Sequence, residues 1–149
     1  MEPLYKVGAG EDHQLIYRQD FCASALHEVA HWCIAGEQRR QHLDYGYWYA
    51  PDGRDAMQQR QFEQVEIKPQ ALEWHFALAC QLQFRISVDN LDGDVGAGGV
   101  FARAVAEQAQ QYCHQHLPAR AEHFRLALAR EFGGDACPSA SCFEAGSLA

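Results

Sequence analysis

Apolar residues recur at three- and four-residue intervals along most of this chain, and those intervals predict its helices. Ala23, Leu26, Ala30, Cys33 and Ile34 give one apolar face over 21–35, with Gly36 placed to cap the C-terminus. Phe62, Val65, Glu66, Pro69, Leu72, Glu73, Phe76 and Cys80 continue the helical period over 56–82. A proline inside such a pattern removes a backbone donor, so this stretch predicts either one helix kinked at Pro69 or two helices meeting there. Two amphipathic helices follow over 100–115 and 119–132, separated by Pro118. Period-two alternation is confined to short runs. Residues 14–17 and 84–88 read as strands, and the aromatic run from Leu43 to Tyr49 reads as a third that ends at the Pro51-Asp52-Gly53 turn. A Gly/Asp loop spans 89–99, and a loose Pro/Ser/Gly-rich tail follows Phe132. The expected fold class is α+β: a mostly helical single domain over 1–149 with a small sheet, its ends at 1–20 and 133–149 poorly defined.

Charge and cysteine placement then narrow the class of protein. The 149 residues carry 12 Lys+Arg against 20 Asp+Glu, a formal net charge of -8. No basic run exceeds Arg39-Arg40, so no direct nucleic-acid partner and no anionic membrane surface is expected. No segment approaches the roughly 20 apolar residues of a bilayer span, and the start from Met1 to Lys6 has no apolar signal core, which makes a cytoplasmic location the expectation. Cys22 and Cys33 share one predicted helix at about 16 Å separation, too far to bridge. Cys80 and Cys113 sit at helical positions that suit reduced, buried thiols, and only Cys137 and Cys142 in the tail have the freedom to pair.

The candidate chemistry lies in His27-Glu28-Val29-Ala30-His31, an HExxH motif inside the first predicted helix. Residues four apart on a helix share a face about 6 Å apart, so the two imidazoles converge on one ion. Glu28, rotated by about 100°, reaches the ion's open side, where a carboxylate holds or deprotonates bound water. A catalytic ion takes a third protein ligand, for which Glu66, Glu73, His42 and His75 are candidates. Glu66 and Glu73 both lie on the apolar side of the next long helix, and geometry alone does not choose between them. Without a metal, either buried carboxylate needs a partner such as Arg39, Arg54 or Lys68.

The stretch from Ala23 to Trp74 resembles the elongation factor P hydroxylase family. The resemblance is carried by Ala25-Leu26-His27-Glu28-Val29-Ala30-His31-Trp32-Cys33-Ile34-Ala35-Gly36, Tyr45-Gly46-Tyr47-Trp48-Tyr49, Pro51-Asp52-Gly53-Arg54-Asp55 and Val65-Glu66-Ile67-Lys68-Pro69-Gln70-Ala71-Leu72-Glu73-Trp74. It implies His27, His31 and Glu66 as metal ligands, which breaks the tie with Glu73. It also implies hydroxylation of a lysine of elongation factor P after that lysine has been extended by a β-lysyl group. Two histidines and one carboxylate around open positions suit a non-haem Fe(II) centre with dioxygen as co-substrate, while the HExxH helix is equally the scaffold of zinc peptidases. Fe(II) is therefore the expected metal, with Zn and Mn as alternatives, and a small zinc metallopeptidase is the competing function.

A β-lysylated lysine brings cationic amines, and the segment from Asp44 to Asp55 offers acids and rings to receive them. Asp44 and Asp52 suit charge pairing, and Tyr47 and Trp48 suit cation–π contacts worth about 0.5 to 2 kcal/mol each. The plain alternative is a set of core rings and turn-forming aspartates. Arg54 is placed to grip a co-substrate carboxylate, or else to complete the Asp-Gly-Arg turn.

Overall fold

The protein is described by a computed structural model over residues 4–17, 21–42, 56–87 and 99–148. It begins with an antiparallel hairpin of β1 (Leu4–Lys6) and β2 (Gln14–Ile16), in which Tyr5 faces Leu15. Gly10 takes φ 77° between the strands, a left-handed conformation that glycine adopts without steric cost. Four α-helices follow: α1 (Cys22–Ile34), α2 (Ala56–Ala79), α3 (Val100–His114) and α4 (Ala119–Phe132). Short 3-10 turns occupy Arg39–Gln41, Ala140–Cys142 and Ala145–Leu148. The described residues are thus mostly helical with a small two-stranded sheet, as the periodicity predicts. Among them no helix is long and apolar enough to cross a membrane.

Helix α2 runs through the middle of the bundle, packing against α1, α3 and α4. Its second half is buried on nearly every side, including Ala71, Leu72 and Phe76 at 0% exposure. The polar Gln70, Glu73 and His75 are buried there as well. Pro69 lies inside this single continuous helix, so the alternative of two helices is not realised. Small residues line the helix contacts: Ala30 on α1, Ala71 and Ala79 on α2, Ala109 on α3 and Ala121 on α4 are all fully buried. Side chains this short let helix axes approach toward the lower end of the usual 8–10 Å range, to about 8 Å.

Several expectations need correction. Gly36 does not supply a left-handed cap: α1 ends through Ala35 at φ -56°, ψ 132°, and the left-handed glycine cap belongs to α4, at Gly133 with φ 72°. One guanidinium nitrogen of Arg120 completes the α1 terminus instead, at 2.9, 2.9 and 2.5 Å from the carbonyls of Trp32, Cys33 and Ala35. A cation there also complements the negative end of the helix dipole. Residues 84–87 form no strand. Their backbone partner is a side chain, since Gln70 Nε2 donates to the Ser87 carbonyl at 2.7 Å and Gln70 Oε1 accepts from the Ser87 N–H at 3.2 Å.

The tail after Phe132 is ordered, not loose. Gly134 and Asp135 donate backbone hydrogen bonds to Ala79 and Leu78 at 3.1 Å each. Phe143 is fully buried, with its ring 4.2 Å from His75 and 5.2 Å from Trp74. All six cysteines are free thiols, Cys137 and Cys142 included. The expected strand and turn over 43–54 and the loop over 89–98 lie outside the described residues.

Candidate metal centre

The HExxH motif occupies the middle of α1, where His27 and His31 stand one turn apart with ring centroids 4.8 Å apart. On α2, Glu66, Gln70 and Glu73 follow at intervals of four and three, which places them in one row along the helix. Packing of α1 on α2 brings the two rows together. His31 Nε2 lies 2.9 Å from Glu66 Oε1, His27 Nε2 lies 3.3 Å from Glu66 Oε2, and the two Nε2 atoms are 3.2 Å apart. His27, His31 and Glu66 each offer a ligand atom within 4.8 Å of the others.

Those separations test whether the residues fit a metal. Three donors about 2.1 Å from one ion, at angles between octahedral and tetrahedral, stand about 3.0 to 3.4 Å from one another. The spacing of the two histidine nitrogens falls in that range and each histidine lies close to it from one Glu66 oxygen, His31 from Oε1 and His27 from Oε2, so the three side chains are near enough to share an ion. Glu66 is 1% exposed, and its Oε1 has no well-angled hydrogen bond although it faces the His31 nitrogen. A buried carboxylate facing two imidazoles needs positive charge beside it, which protons on the rings or a shared cation supply.

The surrounding electrostatics follow from burial and neighbours. Burial alone would push the Glu66 carboxyl up, but the His31 and His27 rings and the Gln70 amide hold it below the usual carboxylate range. His27 loses hydration on burial, yet the Glu73 hydrogen bond and the charges of Glu66, Glu73 and Glu28 raise it to about 9. His31 moves the other way, lowered by burial and by the His27 charge against the pull of Glu66. Glu73 is raised, chiefly by burial.

The remaining candidates separate cleanly. Glu73 approaches the opposite ring nitrogen, its Oε2 at 2.8 Å from His27 Nδ1, and so stands outside the triangle of donors. His42 is exposed at the end of a 3-10 turn. His75 is fully buried away from the centre, where its Nε2 donates to the Ala109 carbonyl at 2.9 Å and its Nδ1 accepts from Arg125 at 3.3 Å. Glu66 and Glu73 find their partners among His27, His31 and Gln70, not at Arg39 or Lys68. Asp44, Tyr47, Trp48, Asp52 and Arg54 lie outside the described residues.

Glu28 is buried at 8% exposure and lines a cavity together with His31, Trp32 and Arg40 of the helical part and Tyr5 and Leu15 of the hairpin. The hairpin is fixed there by the Tyr5 hydroxyl, which donates to the Arg40 carbonyl at 2.8 Å and meets His13. The guanidinium carbons of Arg40 and Arg120 lie 5.9 and 4.6 Å from the centre of the Trp32 ring system, within reach of cation–π attraction.

A sequence model of the elongation factor P hydroxylase family matches residues 1–142, a stretch that contains every side chain of the centre and both helices that carry them. The chain belongs to this family. It is also 47% identical over 129 residues to the elongation factor P lysine hydroxylase of Haemophilus influenzae, a match covering 85% of this chain and 72% of that protein. Sequence reasoning overlooked Gln70, although its place one turn after Glu66 marks it as a neighbour of that carboxylate. Trp32 and the hairpin residues of the cavity were also missed. Nothing local to residues 4–16 signals that the hairpin reaches α1.

Proposed function

We propose that this protein is a metal-dependent hydroxylase of elongation factor P, acting on a lysine side chain that already carries a β-lysyl group. The metal dependence rests on one observation, the convergence of His27 Nε2, His31 Nε2 and a Glu66 oxygen within 4.8 Å. Family membership and the name of the Haemophilus influenzae relative support the reaction class and the protein substrate. The β-lysyl requirement is supported by the acids and rings between Asp44 and Arg54 that suit its amines.

In this reading His27, His31 and Glu66 would hold the ion, beside a cavity that His31 and Glu28 line. The metal, Fe(II) in preference to Zn or Mn, supplies dioxygen-dependent oxidation chemistry when bound. Glu28 holds and moves a proton at its carboxylate on the open side, next to His31. Trp32, which lines the cavity with two guanidinium groups near its ring, forms a wall that limits water. Asp44 and Asp52 pair with substrate amines, Tyr47 and Trp48 stack against them, and Arg54 anchors a carboxylate. Hydroxylating a C–H bond with dioxygen places one oxygen atom on carbon and the other in water, which requires a two-electron reductant in the assay.

The test is intact-mass measurement of β-lysylated elongation factor P after incubation with anaerobically purified protein, Fe(II), a reductant and oxygen. A gain of about 16 Da is expected, with much less on the unextended factor. If the extended factor stays unmodified across Fe(II), Mn(II) and Zn(II) while a peptide library is cleaved, the peptidase reading replaces this one.

A further inference from the structure

We propose that Glu73 is a positioning residue of the metal centre: its buried carboxylate accepts the Nδ1 proton of His27 and so fixes the tautomer and plane that aim His27 Nε2 at the ion. The inference rests on the metal-dependent reading above.

A neutral imidazole carries one proton, and the hydrogen bond made by one ring nitrogen decides which nitrogen is left bare. Both nitrogens of His27 face carboxylates. The closer approach is on the Nδ1 side, 2.8 Å to Glu73 Oε2, against 3.3 Å from Nε2 to Glu66 Oε2. An ionised carboxylate only accepts, so once Nε2 gives its lone pair to an ion beside Glu66 and His31, the one proton left on the ring sits on Nδ1 and is donated to Glu73. An ion held by Nε2 lies at the far end of the ring from Glu73, which therefore acts through His27 and not as a ligand.

The setting is built for this purpose more than for a generic ion pair. Glu73 is 5% exposed, and among the described residues its hydrogen-bond partner is His27, with no lysine or arginine on it. It stands two turns beyond Glu66 on α2, so one buried helix supplies both a ligand oxygen and the acceptor that orients a ligand on the other helix. Gln70, between them, steadies the first of these through its 3.3 Å contact to Glu66 Oε2. An imidazole bonded to a carboxylate is the more basic ligand, and loss of such a partner typically weakens metal binding by about 10- to 100-fold.

The experiment compares wild type with Glu73→Gln, which keeps the side-chain shape and an acceptor but removes the charge. Zn(II) and Co(II) affinities are measured by competition titration, with circular dichroism to check folding. The expected result is an affinity lower by about 10-fold or more, together with a changed Co(II) ligand-field spectrum, in a folded variant. Equal affinity and an unchanged spectrum overturn the inference. A second measurement needs no variant: 15N spectra of histidine-labelled, Zn(II)-loaded wild type should show His27 protonated at Nδ1 and metal-bound at Nε2. The opposite assignment overturns it, whether or not Glu73→Gln folds. If wild type takes up less than one equivalent of either metal, or His31→Ala retains it fully, the metal-dependent reading falls and this inference with it. If wild type binds normally and only the Glu73 tests fail, the inference alone is wrong.

Discussion

Glu66 meets two histidines with its two oxygens while being almost wholly removed from water, a placement that is costly for a carboxylate unless cations compensate it. His27→Ala, His31→Ala and Glu66→Ala are each expected to lose stoichiometric metal, because two remaining donors hold an ion poorly. Metal analysis of the purified variants checks this, and one full equivalent retained by all three would refute the site. Glu28→Gln should keep the metal and lose hydroxylation by at least about 100-fold, as removal of a proton-handling group does. His42→Ala serves as the comparison that should change neither, since His42 is exposed and not among the grouped donors.

At the scale of elements, the helices were legible because their apolar residues keep the 3.6 period, and the HExxH motif was legible because both histidines fall on one face of such a helix. The choice between Glu66 and Glu73 was not. Both stand on the same face of α2 two turns apart, and only the point where α1 crosses selects one for Nε2 and the other for Nδ1. Residues 84–87 alternate as a strand should, with Phe84 buried and Arg85 exposed, yet a side-chain amide stands where a neighbouring strand would. The ordered tail was illegible for a different reason: one phenylalanine among serine, glycine and proline makes no period. Phe143→Ala should nonetheless cost about 3 to 5 kcal/mol, the range for emptying a buried aromatic site. Chemical denaturation read by circular dichroism measures it, and a loss under about 1 kcal/mol would mean that the tail is not part of the core.

For the molecule as a whole, acid stability should depend on His75. Burial, aided by the Arg125 charge, pushes its imidazole down to about 4, although the Ala109 carbonyl favours the protonated form. Unfolded, the same group takes its proton near 6.5. Between these values the unfolded chain binds the extra proton, so stability falls as pH drops from about 6.5 toward 4, by on the order of 3 kcal/mol for full passage. His75→Phe should flatten that part of the stability curve, as measured by denaturation at a series of pH values. The buried alanines have a consequence of another kind. Ala30 sits between His27 and His31 on α1 with no exposed surface, so it acts as a spacer gauge, setting how far the jaws of a clamp can close. Ala30→Leu leaves every donor in place but thickens the gauge. Overpacking of this sort costs about 1 to 3 kcal/mol, and its relief is for α1 to ride outward from α2. Affinity for Mn(II) or Zn(II) should then fall although no ligand has been touched, while Ala30→Ser, nearly the same size, should bind as wild type does. The tolerance of the proposed centre is thereby written in methyl groups that carry no donor atom.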